Sequence, residues 1–236
     1  MQLDIAVMAP PTGDTPPNER RSPALASVKT LRQAAVLFFR HDSPRLLAAH
    51  LLVLLALRLT YGGFGWGDLF AALGVAIYWP LQEWTMHIWL LHLRPFRFRG
   101  RLVDPIFSRK HRAHHREPWN LDYVFLPLRV LVPLIPINAL VWWLGMPSLG
   151  IALTGMTSMA AAALAYEWVH YLTHTPYRPR SGYYRAIWRG HRLHHFKNES
   201  YWHGFTVPMV DTVMGTNPDP RSVQTSPTCR DLDARD

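Results

Sequence analysis

Four long apolar segments constrain the fold of this chain more than any other feature of its sequence. They occupy residues 46–64, 69–93, 124–144 and 149–172. A helix needs about 20 mostly apolar residues to cross the hydrocarbon core of a bilayer, and surface helices of soluble proteins ordinarily keep a polar face. The segments therefore predict an all-α integral membrane protein built as a four-helix bundle. A water-soluble helical bundle with a buried core is the less favoured alternative.

The basic residues are distributed unevenly between these segments. The chain has 25 Lys and Arg against 16 Asp and Glu, a net charge of +9. The Lys and Arg residues are concentrated before the first apolar segment, between the second and third, and after the fourth. The other two connections, GGFGWGD and GMPS, contain neither Lys nor Arg. Because positively charged loops remain on the cytoplasmic side, both termini are predicted to be cytoplasmic, and a nucleic-acid partner is not needed to explain the charge.

Both ends of the chain are polar and rich in proline or charge. Residues 1–43, which include APPTGDTPPNERRSP, are predicted to be a disordered N-terminal tail, and residues 217–236 a polar C-terminal tail. The segment between them, residues 44–216, is predicted to be one membrane-embedded domain. Cys229 is the single cysteine, which excludes a disulfide framework and a cysteine-based metal site.

Ten of the 13 histidines fall into four short clusters, HIWLLH, HRAHH, HYLTH and HRLHH. They are His87, His92, His111, His114, His115, His170, His174, His191, His194 and His195. Positions i, i+3 and i+4 share one face of a helix, so each HxxHH is predicted to present three imidazoles to one point. The i, i+5 pair of HIWLLH is splayed by about 140° on an ideal helix. Its two members either serve different metals or need a local distortion of the helix.

The predicted topology brings the four clusters together. HIWLLH and HYLTH end apolar helices that run towards the cytoplasmic side, and both HxxHH clusters lie in cytoplasmic segments. HRAHH and HRLHH are therefore predicted to be two halves of one site, a cytoplasmic histidine-rich helical cap below the bilayer. Ten imidazoles exceed the four ligands of one structural zinc site. They suit two metal ions, with zinc, iron, copper or nickel favoured by neutral imidazole.

The order HxxxxH, HxxHH, HxxxH, HxxHH resembles the membrane fatty acid hydroxylase superfamily, most of all its fatty acid 2-hydroxylase branch. The segments EWTMHIWLLHLRP, EWVHYLTHT, HRLHHFKN and GFTVPMVDTVMGT are similar to that family's motifs. The resemblance covers about residues 80–216. Val210 departs from the family pattern, which usually has Trp before the position of Asp211.

The resemblance implies a membrane non-haem di-iron oxidoreductase of lipid metabolism that uses O2 to hydroxylate a fatty acyl C–H bond. The ten clustered histidines match the ligand positions of two iron ions, for which zinc could substitute. A membrane lipid substrate and a separate electron-donor protein, of cytochrome b5 or ferredoxin type, are also implied. Desaturation, or sterol or carotenoid oxidation, at the same kind of centre remains the alternative. A zinc-dependent membrane hydrolase is a more distant one.

Three further residues are candidates for supporting roles beside the metals. Glu83 lies one helical turn before the first cluster, and Glu167 three residues before the third. Both are predicted to accept hydrogen bonds from ligand imidazoles, with solvated interfacial carboxylates as the alternative. His203, in YWHGF, is a candidate for a position near the site. His41 and His50 lie outside the clusters and are predicted to be bystanders.

Overall fold

The computed structural model describes residues 22–234, and most of these residues are helical. The described α-helices are α1 (Pro23–Ala26), α2 (Leu31–Phe38), α3 (Asp42–Tyr61), α4 (Trp66–Met86), α5 (Ile106–Arg116), α6 (Leu121–Val124), α7 (Leu128–Gly145), α8 (Leu149–Thr173), α9 (Gly182–Phe196) and α10 (Met209–Val213). A π-helical turn, His87–Leu91, continues α4. A short antiparallel hairpin of β1 (Phe96–Phe98) and β2 (Arg101–Val103) follows it.

Among the described residues, three helical stretches are long and apolar enough to cross a membrane. They are Asp42–Tyr61, Leu121–Gly145 and Leu149–Thr173. The remaining predicted span, residues 69–93, corresponds to α4, which has 21 residues and a length of about 32 Å. Its apolar character is interrupted by Asp68 and by Glu83 near its end. Membrane-capable helices are thus confirmed for three of the four segments. The span at residues 69–93 and the complete four-helix bundle stay predictions.

Helix α8 is the centre of the fold, because α3, α4 and α7 all pack against it. Small residues on α8 permit close approach: a Cβ on Gly155 would lie 2.2 Å from the ring of Trp142 on α7. On the outside, Leu52, Ile77 and Val141 are 65, 68 and 63 % exposed. Outward apolar side chains on α3, α4 and α7 suit a lipid environment and disfavour the water-soluble bundle.

A buried ion pair joins three helices at the end of the bundle opposite the histidines. Nη2 of Arg58, on α3, lies 2.7 Å from Oδ1 of Asp68, on α4. Nε of Arg58 also donates to Oγ1 of Thr154, on α8, and Nη1 to the carbonyl of Gly62, both at 2.7 Å. The guanidinium is 3 % exposed, so these partners replace the water that it loses on burial.

The N-terminal prediction needs a correction where the structure describes it. Residues 1–21 lie outside the described part, but residues 22–43, predicted to be disordered, contain α1 and α2. Thr30 and Gln33 form a capping box that starts α2, a T-x-x-Q signal present in the sequence. Phe38 is 1 % exposed and packs edge-on against Trp168 of α8. Burial against α8 therefore orders this segment.

Candidate metal centre

The ten clustered histidines lie together where α4 and α8 end, beside α5 and α9. Nine of them form two groups whose ligand nitrogens lie within 4.8 Å of one another, and each group could hold a metal ion. The first group is His87, His92, His111, His115 and His194; the second is His114, His174, His191 and His195. The tenth, His170, adjoins the second group, because its Nε2 lies 3.2 Å from Nε2 of His114.

Each HxxHH cluster divides its imidazoles between the two groups. In HRAHH, His111 and His115 belong to the first group and His114 to the second. In HRLHH, His191 and His195 belong to the second group and His194 to the first. On an ideal helix, i and i+4 differ by about 40°, whereas i+3 lies about 60° to the other side of i. The prediction that all three imidazoles of a cluster meet at one point was therefore wrong. The two repeats are nevertheless in contact, with Nε2 of His115 3.2 Å from Nε2 of His194.

The π-helical turn brings both histidines of HIWLLH into the first group. The amide of His92 donates to the carbonyl of His87 at 3.3 Å, an i to i+5 hydrogen bond. A turn closed in this way holds more residues than an α-helical turn, so positions five apart come to nearly the same face. The two ring centroids lie 4.9 Å apart. Of the two alternatives left open for this pair, the structure has the local distortion.

Backbone carbonyls determine the tautomers of three imidazoles in the first group. Their Nδ1 atoms donate to carbonyl oxygens at 2.9, 2.8 and 2.9 Å: His87 to His203, His115 to Cys229, and His194 to Tyr201. A carbonyl only accepts, so each Nδ1 carries the proton and each Nε2 presents a lone pair. Nε2 of His115 lies 3.2 Å from Nε2 of His194. Lone pairs at this separation repel one another unless a cation lies among them, which fits a metal ion.

Burial keeps the imidazoles in the neutral form that binds metals. Desolvation, reinforced by neighbouring imidazoles, lowers the pKa well below its usual value for His111, His114, His191, His194 and His195. Desolvation likewise lowers the pKa of His115 to about 4. Nε2 of His92 and Nε2 of His195 are buried with no hydrogen-bond partner among the described residues. Orphaned buried nitrogens are costly, and a metal ion bound to them would remove that cost.

Two carboxylates hold the loop of residues 203–206 through four consecutive amides. Asp211 accepts from the amides of His203 and Gly204 at 2.9 and 2.8 Å. Glu83 accepts from the amides of Phe205 and Thr206, from the Thr206 hydroxyl, and from the indole of Trp79. The prediction that Glu83 accepts from a ligand imidazole was therefore wrong. Its carboxylate acts on the first histidine group through this loop, whose His203 carbonyl binds His87.

Glu167 also has partners other than the predicted imidazoles. Its Oε1 accepts from the hydroxyl of Ser43 at 2.7 Å and from the amide of Leu126 at 2.8 Å, while Oε2 is buried without a partner among the described residues. The carboxylate therefore ties the start of α3 and the segment before α7 to α8, and the prediction of an imidazole partner was wrong.

His203 lies against the first group, as expected for a residue near the site. Its ring centroid is 5.1 Å from that of His87 and 5.3 Å from that of His194, and its side chain is buried. His41 and His50 belong to neither histidine group. His41 instead lies against the ring of Phe125, with centroids 4.2 Å apart.

The C-terminal segment contacts the site, a feature that sequence reasoning missed. Beyond the carbonyl of Cys229, Asp233 lies 2.6 Å from both Nε of Arg112 and Nη1 of Arg116, on α5. Leu232 is 5 % exposed. The polar residues predicted to be a tail thus pack on the helix that carries HRAHH. The sequence gives only a weak signal for this contact, because it consists of Asp231 and Asp233 near the C-terminus and the basic residues of α5.

Comparisons with known proteins agree with this arrangement. A family profile described as fatty acid hydroxylase matches residues 72–216, which include all ten clustered histidines and the 203–206 loop. The dihydroceramide fatty acyl 2-hydroxylase FAH2 of Arabidopsis thaliana is 28% identical over 151 residues, 64% of this chain and 61% of the relative. The 2-hydroxylase FAH1 of the same plant is 26% identical over 143 residues, 59% and 57% of the two chains. This chain spans less than two thirds of the length of both relatives.

A solved structure shares the fold. It is described as full-length scs7p with only the hydroxylase domain visible, and it superposes with a TM-score of 0.59 at 20% identity. The match covers 86% of this chain and 72% of that chain.

Proposed function

This chain belongs to the fatty acid hydroxylase family, and on that premise we propose that it is a membrane oxidoreductase which uses O2 to hydroxylate a fatty acyl C–H bond. Two groups of histidines, each with ring nitrogens within 4.8 Å of one another, are the observation that carries the proposal. Because the relatives' printed names are those of dihydroceramide fatty acyl 2-hydroxylases, the acyl chain of a dihydroceramide is the first substrate to test.

We assign the ten histidines to two iron ions, five to each. The first group supplies one set, and the second group with His170 supplies the other. Zinc could occupy the same nitrogens, because imidazole does not discriminate strongly between the two. When bound, a redox-active metal pair supplies the O2 activation that an unreactive C–H bond requires and that amino-acid side chains cannot provide.

The protein's own groups orient the ligands and exclude water. Backbone carbonyls of His203, Tyr201 and Cys229 hold three imidazoles in the tautomer that directs Nε2 inward. Such supporting hydrogen bonds determine the orientation and basicity of metal ligands. The C-terminal segment and the 203–206 loop cover the groups on two sides, so that oxidation is separated from bulk water.

In the proposed topology the histidine groups lie at the cytoplasmic face. Helices α3, α4, α7 and α8 all cross the bilayer, and both termini are cytoplasmic because the basic segments lie at the histidine end. The outward apolar side chains of these helices contact lipid, and the substrate approaches from the bilayer. Electrons come from a separate protein of cytochrome b5 or ferredoxin type, which docks from the cytoplasm.

An isotope experiment tests the function. Membranes containing the full chain and a supplied reductase system receive a dihydroceramide under 18O2, and products are analysed by mass spectrometry. We expect a hydroxylated acyl chain that carries 18O, and no product from His111→Ala. His50→Ala, on α3 and outside both histidine groups, serves as the matched control. A desaturated product would favour the desaturase alternative, and product formation without O2 would favour a hydrolase.

A further inference from the structure

One aromatic ring contacts both histidine groups. The ring centroid of Phe205 lies 4.8 Å from that of His87, in the first group. It lies 4.6 Å from that of His191, in the second group, and 5.1 Å from that of His170 beside it. Phe205 is 1 % exposed. Its side chain therefore forms part of the wall that the two groups share.

Phe205 lies on the side of the centre that faces the long helices. His87 directly follows α4, and His170 is in the last turn of α8. The C-terminal segment contacts the first group at a different histidine, through the bond from His115 to Cys229. Phe205 therefore packs at the point where α4 and α8 reach the two histidine groups.

Two more aromatic residues continue from Phe205 along the seam between α4 and α8. Tyr166 lies one turn before His170 on α8, and its ring centroid is 5.6 Å from that of Phe205. Trp79 of α4 lies 6.3 Å from Tyr166 by the same measure. Trp79 and Tyr166 are half-buried, whereas Phe205 is buried. The three rings form a continuous aromatic seam that leads inward to Phe205, and this seam is the candidate route of an acyl chain.

The backbone holds Phe205 in place. The amides of Phe205 and Thr206 donate to the carboxylate of Glu83. The two preceding amides, of residues 203 and 204, donate to Asp211. The loop also packs closely on α10, since a Cβ on Gly204 would lie 2.7 Å from Cγ1 of Val210. The carboxylate of Glu83 binds the indole of Trp79 as well, at 3.1 Å, which links both ends of the route. Phe205 is therefore a fixed wall rather than a mobile flap.

We propose that Phe205 determines which carbon of the acyl chain is oxidised, by ending the route along Trp79 and Tyr166 at a fixed depth. Successive methylenes of an acyl chain are chemically alike, and apolar contacts distinguish them weakly. A rigid stop selects by position instead, because it sets how far the chain can advance towards the metals. The inference rests on the proposed function.

Substitutions of Phe205 and of a second, equally buried phenylalanine test the role of Phe205. Phe205→Leu and Phe205→Ala are compared with Phe38→Leu, which shortens an equally buried ring that packs on Trp168 and Tyr171, away from the histidines. The full chain in phospholipid nanodiscs receives dihydroceramides of several acyl lengths. We expect both Phe205 variants to move at least half of the product to other carbons, with metal content unchanged. Phe38→Leu should keep the wild-type position.

Photo-crosslinking of the wild-type chain provides a readout that does not require activity. A fatty acid with a diazirine at successive carbons should label peptides that contain Phe205 and Tyr166, and the Phe205 label should decrease in Phe205→Ala. If the chain is inactive but the probe still labels these residues, the proposed route stands and the proposed hydroxylation is wrong. An active chain whose oxidation position is unchanged in both Phe205 variants, or whose variants lose metal, would overturn the assignment of Phe205.

Discussion

Nδ1 of His115 donates a hydrogen bond of 2.8 Å to the backbone carbonyl of Cys229, 114 residues further along the chain. The contact joins HRAHH to the C-terminal segment and directs Nε2 of His115 towards the other imidazoles of its group. It uses the peptide group of Cys229 rather than its thiol. The C-terminal segment is therefore part of the support for the histidine centre.

Truncation after Thr216 should weaken metal binding. Without residues 217–236, His115 loses its carbonyl acceptor, and Arg112 and Arg116 lose Asp233. Loss of such supporting partners lowers metal affinity by about 10–100-fold. The measurement is metal retained against a competing chelator. Cys229→Ser keeps the carbonyl and should retain metal like the wild type; equal retention by the truncated chain would contradict the coupling.

The two middle histidines of the HxxHH clusters should both be essential. His114 belongs to the second group and His194 to the first, so each alanine substitution leaves a different metal short of a ligand. We expect each to abolish oxidation and the pair to be strongly non-additive, because residues that act as a unit lose function together.

The assay for these variants is O2-dependent product formation in membranes, with a supplied reductase chain and matched protein levels. His41→Ala is the control, since His41 lies against Phe125 rather than in either histidine group. Substantial turnover by His194→Ala would mean that HRLHH is not part of the metal centre.

Gently purified protein should contain two metal ions per chain. The two groups are separate sets of nitrogens, and each set exceeds three ligands, so neither depends on the other for a complete shell. Elemental analysis should find iron in active preparations, with zinc in some of the sites after purification. A stoichiometry near one under these conditions would mean that one group is not a metal site.

Asp68→Ala should destabilise the bundle without affecting the metals. The substitution leaves the guanidinium of Arg58 buried without its charge partner, which costs about 3–5 kcal/mol in buried pairs. Thermal unfolding of the detergent-solubilised protein should show a lower Tm with unchanged metal content. The double variant Arg58→Leu with Asp68→Leu should recover part of the loss, and a Tm of Asp68→Ala equal to that of the wild type would show that the pair contributes little.

Much of this protein was predictable because it depends on short stretches of sequence. The length and hydropathy of a segment decide whether it can cross a bilayer, which held for α3, α7 and α8. The order of the apolar segments predicted that the four histidine clusters would meet, and the structure brings them together. Where local composition misled, as at residues 22–43, burial of Phe38 against α8 outweighed the polar character of the stretch.

The partition of the imidazoles was decided only by the tertiary structure. His114 and His194 cross between groups, the π-turn realigns His92, and Glu83 binds the 203–206 loop instead of an imidazole. The Glu83 contact joins segments more than a hundred residues apart, and the first group joins His87 to His194, which are also more than a hundred residues apart. Many of the partners are backbone carbonyls and amides, which every residue has and which no sequence pattern marks. The sequence alone therefore determined which residue types would line the candidate metal centre, and the packing of α4, α5, α8 and α9 decided where each one points.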